Sequence, residues 1–488
     1  MSMQPFVSLI HIDDKKPQPV YSQIADQLAG LIKEGVLGVG HRLLSSRDMA
    51  GQLNVHRKTV VRAYEDLIAQ GWLESGVGSG TFVSKSLPQI NPRSLNIRVP
   101  DNNHLKKAGF AFTETPYLER DITNLNIRYH LDDGFPDTRL APLKELSIAW
   151  TSQLRTGNTY SRLGYGDPKG SAWLREELAA YLNETRGMNI KPNNILITRG
   201  TIMGLHLSCK AFVKPGDNVV CTGPGWLSAN IDFMQAGANI ITIPVDAYGL
   251  DVDRLAEVCT HTAIRMIYVN SHHHYPTTVP LRAERRVQLL QLAEKYGFII
   301  FEDDYDYDFH YLNRPLLPLA SADKAGMVLY CGSFTKAIAP AFRVGYLVAP
   351  ENVIHHLSLI RRTIDRQGDH ILENAIAELL QHGIIQRHLR KSLRAYRERR
   401  DVFCGLMRTH LNNKVSFQVP EGGMAVWVTF DPAIDLKNLA KKALLNDIYI
   451  NSGIGYVQGK SLNSMRLGFG SSTVEELTHM VEVLAGLM

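Results

Sequence analysis

From about residue 126 onward the chain repeats one pattern: a short apolar run followed, in most cases, by a stretch long enough for a helix. The runs are NILIT, NVVCT, IITIPV, MIYVN, FIIFED and MVLYCG, all rich in β-branched residues. Strands of this kind, joined by helices and buried on both faces, form a mainly parallel sheet covered on both sides. Ligands of such sheets bind just beyond the carboxyl ends of the strands. The residues that follow each run are therefore the ones to inspect. After about residue 355 the pattern turns mainly helical. VSFQV, MAVWVTF and SMRLGFG then predict a smaller α+β subdomain, which we place from about residue 380.

The start of the chain is built differently. PVYSQIADQLAGLIKEG carries Val20, Ile24, Leu28, Leu31 and Ile32 at helical spacing and ends at Gly35. SSRDMAGQLN offers Ser45 or Ser46 as the cap of a short second helix. VHRKTVVRAYEDLIAQG predicts a third helix, with Val60, Ala63, Tyr64, Leu67 and Ile68 inward. WLESGVGSGTFVS reads as a hairpin around a glycine-rich turn. Helix, short helix, tight turn, helix and hairpin form the layout of a winged helix-turn-helix. Residues 42–62 hold Arg42, Arg47, Arg57, Lys58 and Arg62 against the single acid Asp48. That excess sits where a recognition helix meets DNA. A small helical domain with solvated charges has the same pattern.

A length of 488 residues calls for two to four domains. We expect a DNA-binding domain over 1–85, a flexible linker over 86–125 and a ligand-binding domain over 126–488. Residues 86–110 carry three prolines and weak periodicity, hence the linker. No apolar run reaches membrane-spanning length, and no signal peptide is recognisable at the start. The five cysteines are scattered without a CxxC pair, so neither a disulfide framework nor a zinc site is indicated. A cytoplasmic protein is the expectation. The net charge of +5 is too small to announce a nucleic-acid partner by itself.

Four strand ends carry chemistry. After NILIT, Gly200 and Thr201 open a helix, a place suited to a phosphate. After NVVCT comes Trp226, either a stacker for a flat ring or simply core. After FIIF comes EDDYDYDFHY, where several acids follow a buried strand. They need cations or donors; Asp303 could face a protonated ring nitrogen, or the stretch could be a solvated loop or a metal site. After MVLYCG comes Ser333-Phe334-Thr335-Lys336, with Arg343 seven residues on. Lys336 is either a surface lysine or a nucleophilic amine held out of water. An amine for an aldehyde, a carboxylate for a pyridine nitrogen, a ring stacker and a phosphate cup together point to pyridoxal 5'-phosphate.

Residues 126–488 resemble the fold-type I, class I aminotransferases. The likeness rests on YGDPKGSAWLREELAAYL, EDDYDYDF, SFTKAIAPAFRVG and MRLGF. LLSSRDMAGQLNVHRKTVVRAYEDLIAQGWLESGVGSGTFV is similar to the DNA-binding domain of GntR-type regulators. With both parts in this order, the chain is identified as a member of the MocR subgroup of GntR-type transcriptional regulators.

The resemblance implies roles. Lys336 would form the internal Schiff base and Asp303 would hold the pyridine nitrogen. Tyr305 would meet the ring hydroxyl and Trp226 would stack on the ring. Tyr275 stands where enzymes of this class have Asn. Gly200, Thr201, Ser333 and Arg343 would hold the phosphate, with Tyr165 reaching in from the other subunit of a homodimer. Arg466 would take the carboxylate of an amino-acid-like effector. Arg47, Arg57, Lys58, Thr59 and Arg62, with Gly78 and Gly80 of the wing, would contact double-stranded DNA.

The resemblance implies a regulator that senses the cofactor, an amine or their aldimine; the rival is a true aminotransferase with an appended DNA domain. Two departures stand out. HHHYPTTVPL has Thr278 where the family has Gly. Ser228 stands where a GABA-responsive relative has an arginine, which argues against GABA. The triple histidine 272–274 invites a metal reading, but no carboxylate or Cys lies beside it at ligand spacing, so no metal is expected.

Overall fold

The computed structural model describes residues 6–13, 15–76, 80–87, 108–118, 127–131, 133–155, 157, 163–312 and 316–488. The chain divides into two compact units, Met1–Glu114 and Thr115–Met488. The linker expected over 86–125 lies for the most part outside the described residues.

In the first unit, helix α1 spans Val20–Lys33 and buries Ile24, Leu28, Leu31 and Ile32. Helix α2 spans Ser46–Leu53; its cap is Ser45, whose hydroxyl accepts the Asp48 N–H at 3.2 Å. Asn54 ends α2 in the left-handed region at φ 53°, a conformation Asn tolerates better than most residues. Helix α3 then runs over Arg57–Ala69, with the His56 ring accepting the Lys58 N–H.

α3 buries Val60, Ala63, Tyr64 and Leu67, while Ile68 is only partly buried. The Tyr64 hydroxyl donates to the Leu44 carbonyl at 3.0 Å and ties α3 to the segment before α2. Strands β1 (Leu73–Gly76) and β2 (Gly80–Val83) pair antiparallel. Residues 41–43 lie along β2 as well: Leu43 N–H donates to Thr81 O, and Val83 N–H to His41 O. One core under three helices and the hairpin is small, so truncating Leu28 or Leu67 to Ala should cost about 2–5 kcal/mol.

The second unit is built on an eight-stranded sheet. Its strands are β4 (Ile195–Thr198), β5 (Asn218–Gly223), β6 (Asn239–Asp246), β7 (Gly249–Leu250), β8 (Ile264–Val269), β9 (Ile299–Asp304), β10 (Val328–Ser333) and β11 (Gly345–Val348). The order across the sheet is β4-β11-β10-β9-β8-β5-β6-β7. From β10 through β9, β8 and β5 to β6 every pairing is parallel. β11 is antiparallel to both its neighbours, and β7 to β6. The mainly parallel sheet expected from the six apolar runs is present, and each run is a strand. β7 and β11 are additions.

Period-two alternation sorts the side chains of these strands onto two layers. Leu196, Val219, Cys221, Met266, Tyr268, Phe301, Leu329, Cys331 and Leu347 pack with helices Thr201–Phe212 and Glu351–Arg362. Ile195, Ile197, Val220, Ile267, Val269, Ile300, Tyr330, Tyr346 and Val348 pack on the other side with helices Ala172–Arg186, His370–Gln381 and Ile384–His410. Both faces are covered, which explains why the runs are apolar throughout rather than alternating.

The C-terminal part has a three-stranded antiparallel sheet of β12 (Val415–Phe417), β13 (Ala425–Phe430) and β15 (Ser464–Gly468), in the order β12-β13-β15. Helices Leu436–Leu445 and Val474–Leu487 complete it. β14 (Ile448–Ile450) pairs in parallel with β3 (Tyr129–Leu131), far away in sequence.

Candidate functional sites in the two units

α3 presents Arg57, Lys58, Val61, Arg62 and Glu65 along one outward face. The spacing of these residues, one turn apart in two adjacent rows, produces that face. Arg57 is exposed, and its Nε donates to Ser46 Oγ at 3.3 Å, which joins the start of α3 to α2. The Arg62 guanidinium lies 4.0 Å over the Tyr21 ring, a cation–π contact back to α1. Arg47 is exposed on α2, and Thr59 is half-buried. Gly80 lies against Arg42, whose Nε would meet an added Cβ at 3.1 Å. Gly78 lies outside the described residues. Arg42 belongs to the basic excess, but only its pairing with β2 brings it beside the wing.

In the second unit the carboxyl ends of β4, β5, β8, β9 and β10 share one edge of the sheet. β11 runs the other way, so its start lies at that same edge, and this carries Arg343 to the site. A cavity of ≈ 350 Å³ opens there. It is lined by Thr201, Trp226, Tyr275, Asp303, Tyr305, Ser333, Lys336 and Arg343 from the sequence candidates, joined by Asp133, Phe135, Ile202, Tyr268 and Thr335.

Asp303 is buried and accepts hydrogen bonds from the Tyr268 hydroxyl at 2.6 Å and Thr201 Oγ1 at 3.2 Å. Burial nevertheless dominates and pushes its carboxyl up to about 7. The side chain is thus an acid prepared for a cation. Lys336 reaches the cavity from the turn after β10, donates from Nζ to the Gly134 carbonyl at 2.8 Å and lies 4.5 Å over the Phe135 ring. Ser333 Oγ donates to Thr335 Oγ1 at 2.8 Å. Gly200 has φ 79°, and an added Cβ would come within 2.7 Å of Arg343. Glycine is required there on both counts. Arg343 itself has φ 50° and donates to the Arg199 carbonyl at 3.0 Å.

The other acids of EDDYDYDF each have a separate partner. Glu302 accepts from the Leu319 and Ala320 backbone and from Ser271. Asp304 accepts from the Tyr330 hydroxyl, Asp306 faces the His273 ring, and Asp308 binds Arg186 through both oxygens. Of the acids in β9, Asp303 alone lines the cavity. The histidines are likewise engaged one by one: His272 with Leu316 O, His273 with Asp306 and His274 with Thr222 and Thr277. Burial and then the Arg466 charge hold His274 down to about 3. Among the described residues no three His, Cys, Asp or Glu side chains converge as metal ligands.

Tyr275 donates to Asp133 at 2.9 Å, and Tyr305 donates to the His273 carbonyl at 2.9 Å. Arg466 does not line the cavity. It is 1% exposed and sits behind Tyr275, donating to the carbonyls of Asp133 and Pro276. Tyr165 is 77% exposed, with the Arg366 guanidinium 3.7 Å over its ring. Tyr268, Asp133 and Phe135 were not singled out from sequence. Tyr268 looked like strand core, and its hydroxyl meets Asp303 only because β8 lies beside β9. Asp133 and Phe135 lie in a stretch without periodicity.

Residues 137–484 match the aminotransferase class I and II family, and residues 20–83 match the bacterial regulatory proteins of the gntR family. The uncharacterized HTH-type transcriptional regulator YdfD of Bacillus subtilis is 30% identical over 97% of both chains. The probable rhizopine catabolism regulatory protein MocR of Rhizobium meliloti is 29% identical over 88% of this chain and 85% of its own. Among solved structures, a multiple substrate aminotransferase from Thermococcus profundus superposes with a TM-score of 0.71 at 26% identity, covering 77% of this chain and 96% of its own. The α-aminoadipate aminotransferase LysN of Thermus thermophilus, solved with N-(5'-phosphopyridoxyl)-L-leucine, gives 0.69 at 26% identity, covering 74% of this chain and 92% of its own. Among the described residues no helix is long and apolar enough to cross a membrane.

Proposed function

The chain belongs to the MocR-type GntR regulators, with an aminotransferase class I and II domain behind the DNA-binding unit, and from this premise we propose a cytoplasmic homodimeric transcription regulator that senses pyridoxal 5'-phosphate together with an amino-acid-like effector. The observation that carries the reading is the meeting of Lys336 and Asp303 in one cavity with Thr201, Ser333, Thr335 and Arg343. When bound, the cofactor supplies an aldehyde for amines and a ring that withdraws electrons.

The residues fit it. Asp303 is a buried carboxyl without a cation, which a protonated ring nitrogen would supply. Lys336 is the amine for the aldehyde. Trp226 covers the ring, and Tyr305 stands for its hydroxyl. The start of helix Thr201–Phe212, the hydroxyls of Ser333 and Thr335, and Arg343 form the anion cup. Arg466 takes the effector carboxylate by exchanging its carbonyl partners for two parallel bonds. Leu163, Tyr165, Ile202 and Ile364 are exposed and apolar, and a second copy of the chain would cover them. On the DNA side, Arg57, Lys58 and Arg47 are the contacts, with Gly80 and Arg42 at the wing.

A cofactor bound differently in two conformations shifts their balance, and DNA affinity or geometry follows that balance. An aminotransferase reading also has support: the aromatic-amino-acid aminotransferase 1 of Thermococcus litoralis is 29% identical over 73% of this chain. Release of keto acid from a panel of amino acids separates the two. The test of the cofactor site is borohydride reduction of the protein loaded with pyridoxal phosphate. The label should map to the peptide holding Lys336; a colourless protein, or a label on another lysine, overturns the reading.

A further inference from the structure

Beside the cofactor cavity lies a second and larger one of ≈ 1050 Å³, which shares Asp133, Trp226 and Tyr275 with it. The shared residues set the two cavities side by side. The outer cavity is therefore the adjoining space for the far end of a molecule with its amine at Lys336. One wall of it is the helix Leu436–Leu445, which contributes Lys437, Ala440, Lys441 and Leu444 at one-turn spacing.

Neither Lys437 nor Lys441 forms an ion pair among the described residues. Lys437 also stands in the first turn of its helix, where the macrodipole disfavours a cation. The N-cap acid Asp435 accepts the Lys437 and Asn438 backbone N–H groups through Oδ1 and forms no ion pair with the Lys437 ammonium. The lining holds a single carboxylate, Asp133, which accepts from the Tyr275 hydroxyl. Ser228 also lines this cavity, and Lys437 and Lys441 are the cations of its lining. Asn451, whose Oδ1 accepts the Gly453 N–H, adds an amide NH2.

We propose that the outer cavity receives the distal end of the effector, and that the effector is an amino acid whose extended side chain ends in an anion, a carboxylate or a phosphate, held by Lys437 and Lys441. This inference rests on the cofactor reading above. Arg466 holds the α-carboxylate, and the lysines select the second anion. They act as mobile point charges that suit either group without fixing its geometry. Both lysines face solvent, so the preference weakens as salt rises.

The test uses the full chain loaded with pyridoxal phosphate and titrated with L-2-aminopimelate, O-phosphohomoserine, norleucine or lysine, read as the change in cofactor absorbance. At least one anionic probe should bind about ten-fold tighter than norleucine, the combined effect of two exposed ion pairs, and lysine should bind most weakly. The larger of the two anionic ratios identifies the terminal group. In the Lys437→Gln, Lys441→Gln variant the preference should disappear while norleucine binds as before. Norleucine binding as tightly as both anions, or a preference that survives in the double variant, overturns the inference. Capture of the cofactor at Lys336 is measured first by borohydride labelling. If that fails, the cofactor reading fails; if it succeeds and no charge preference appears, only the present inference falls.

Discussion

Asp303 allows a quantitative test that needs no effector. In the cofactor-free protein burial lifts its carboxyl from 3.8 to about 7. Between those values the folded state binds a proton that the unfolded state does not. Linkage then fixes the sign: the contribution is complete below pH 4 and is lost as pH rises through 7. The full displacement corresponds to roughly 4 kcal/mol. Of this, roughly 2–3 kcal/mol should be lost between pH 5 and pH 8.

Asp303→Asn keeps an acceptor for the Tyr268 hydroxyl and removes the titration. Urea unfolding at both pH values, for the cofactor-free protein and the variant, isolates the group, because all other titrations cancel. The loss with pH should be larger in the unsubstituted protein by roughly 2–3 kcal/mol. Added pyridoxal phosphate should reduce its loss, since a cation opposite the carboxylate keeps it ionised throughout. Equal pH dependence in the two proteins would refute the account of Asp303 as an acid prepared for a cation.

Lys336→Ala should abolish the response to cofactor and amine while leaving basal DNA binding, measured by gel shift; loss of all DNA binding in a folded variant would mean that the site is needed for assembly. Arg57→Ala and Arg47→Ala should each weaken operator binding by about 1–3 kcal/mol if the contact is to a base, and a phosphate contact would instead lower the salt slope by about one. Thr278 occupies φ 65°, a left-handed backbone that costs a β-branched residue roughly 1–2 kcal/mol. Thr278→Gly should therefore stabilise the protein by somewhat less than about 1 kcal/mol after glycine's entropic cost, and a lower urea midpoint would show that the threonine side chain compensates for its backbone.

The sheet was legible because its central strands are short apolar runs with no polar alternation, a pattern that burial on both faces demands. β11 escaped notice because GYLV directly follows the lysine and arginine motif and reads as its tail. β3 and β14 escaped because each is three residues long and its partner lies more than three hundred residues away. Residues at strand ends were legible for a related reason: the topology brings those ends together whatever the strand order. Tyr268 was not, since its contact with Asp303 depends on β8 lying next to β9. The positions of Asp133 and Phe135 depend on a loop whose path is set by Arg466 and Tyr275, and no local pattern encodes that. Thr278 stands in the left-handed region at φ 65° where the family sequence has glycine, so the substitution stores strain in that turn.

β9 delivers three consecutive carboxyl groups, yet the cavity receives only the middle one. Glu302 and Asp304 fall on the opposite layer, to helix N–H groups, hydroxyls and a histidine. The strand thus works as a parity code in which odd and even positions have different addressees. The charge offered to a ligand is set by counting, not by composition. A conservative exchange of Glu302 or Asp304 alters the scaffold and leaves the cavity's charge as it was. Inserting or deleting one residue upstream in β9 reverses the addresses. An insertion would bring two acids to the cavity-lining positions now held by Asp303 and Tyr305, and a deletion would drive one into the apolar layer around Phe301, although the acidic content of the chain is unchanged. Within this family, drift in the acidic stretch should therefore proceed by substitution at the even positions, with the length of β9 held constant.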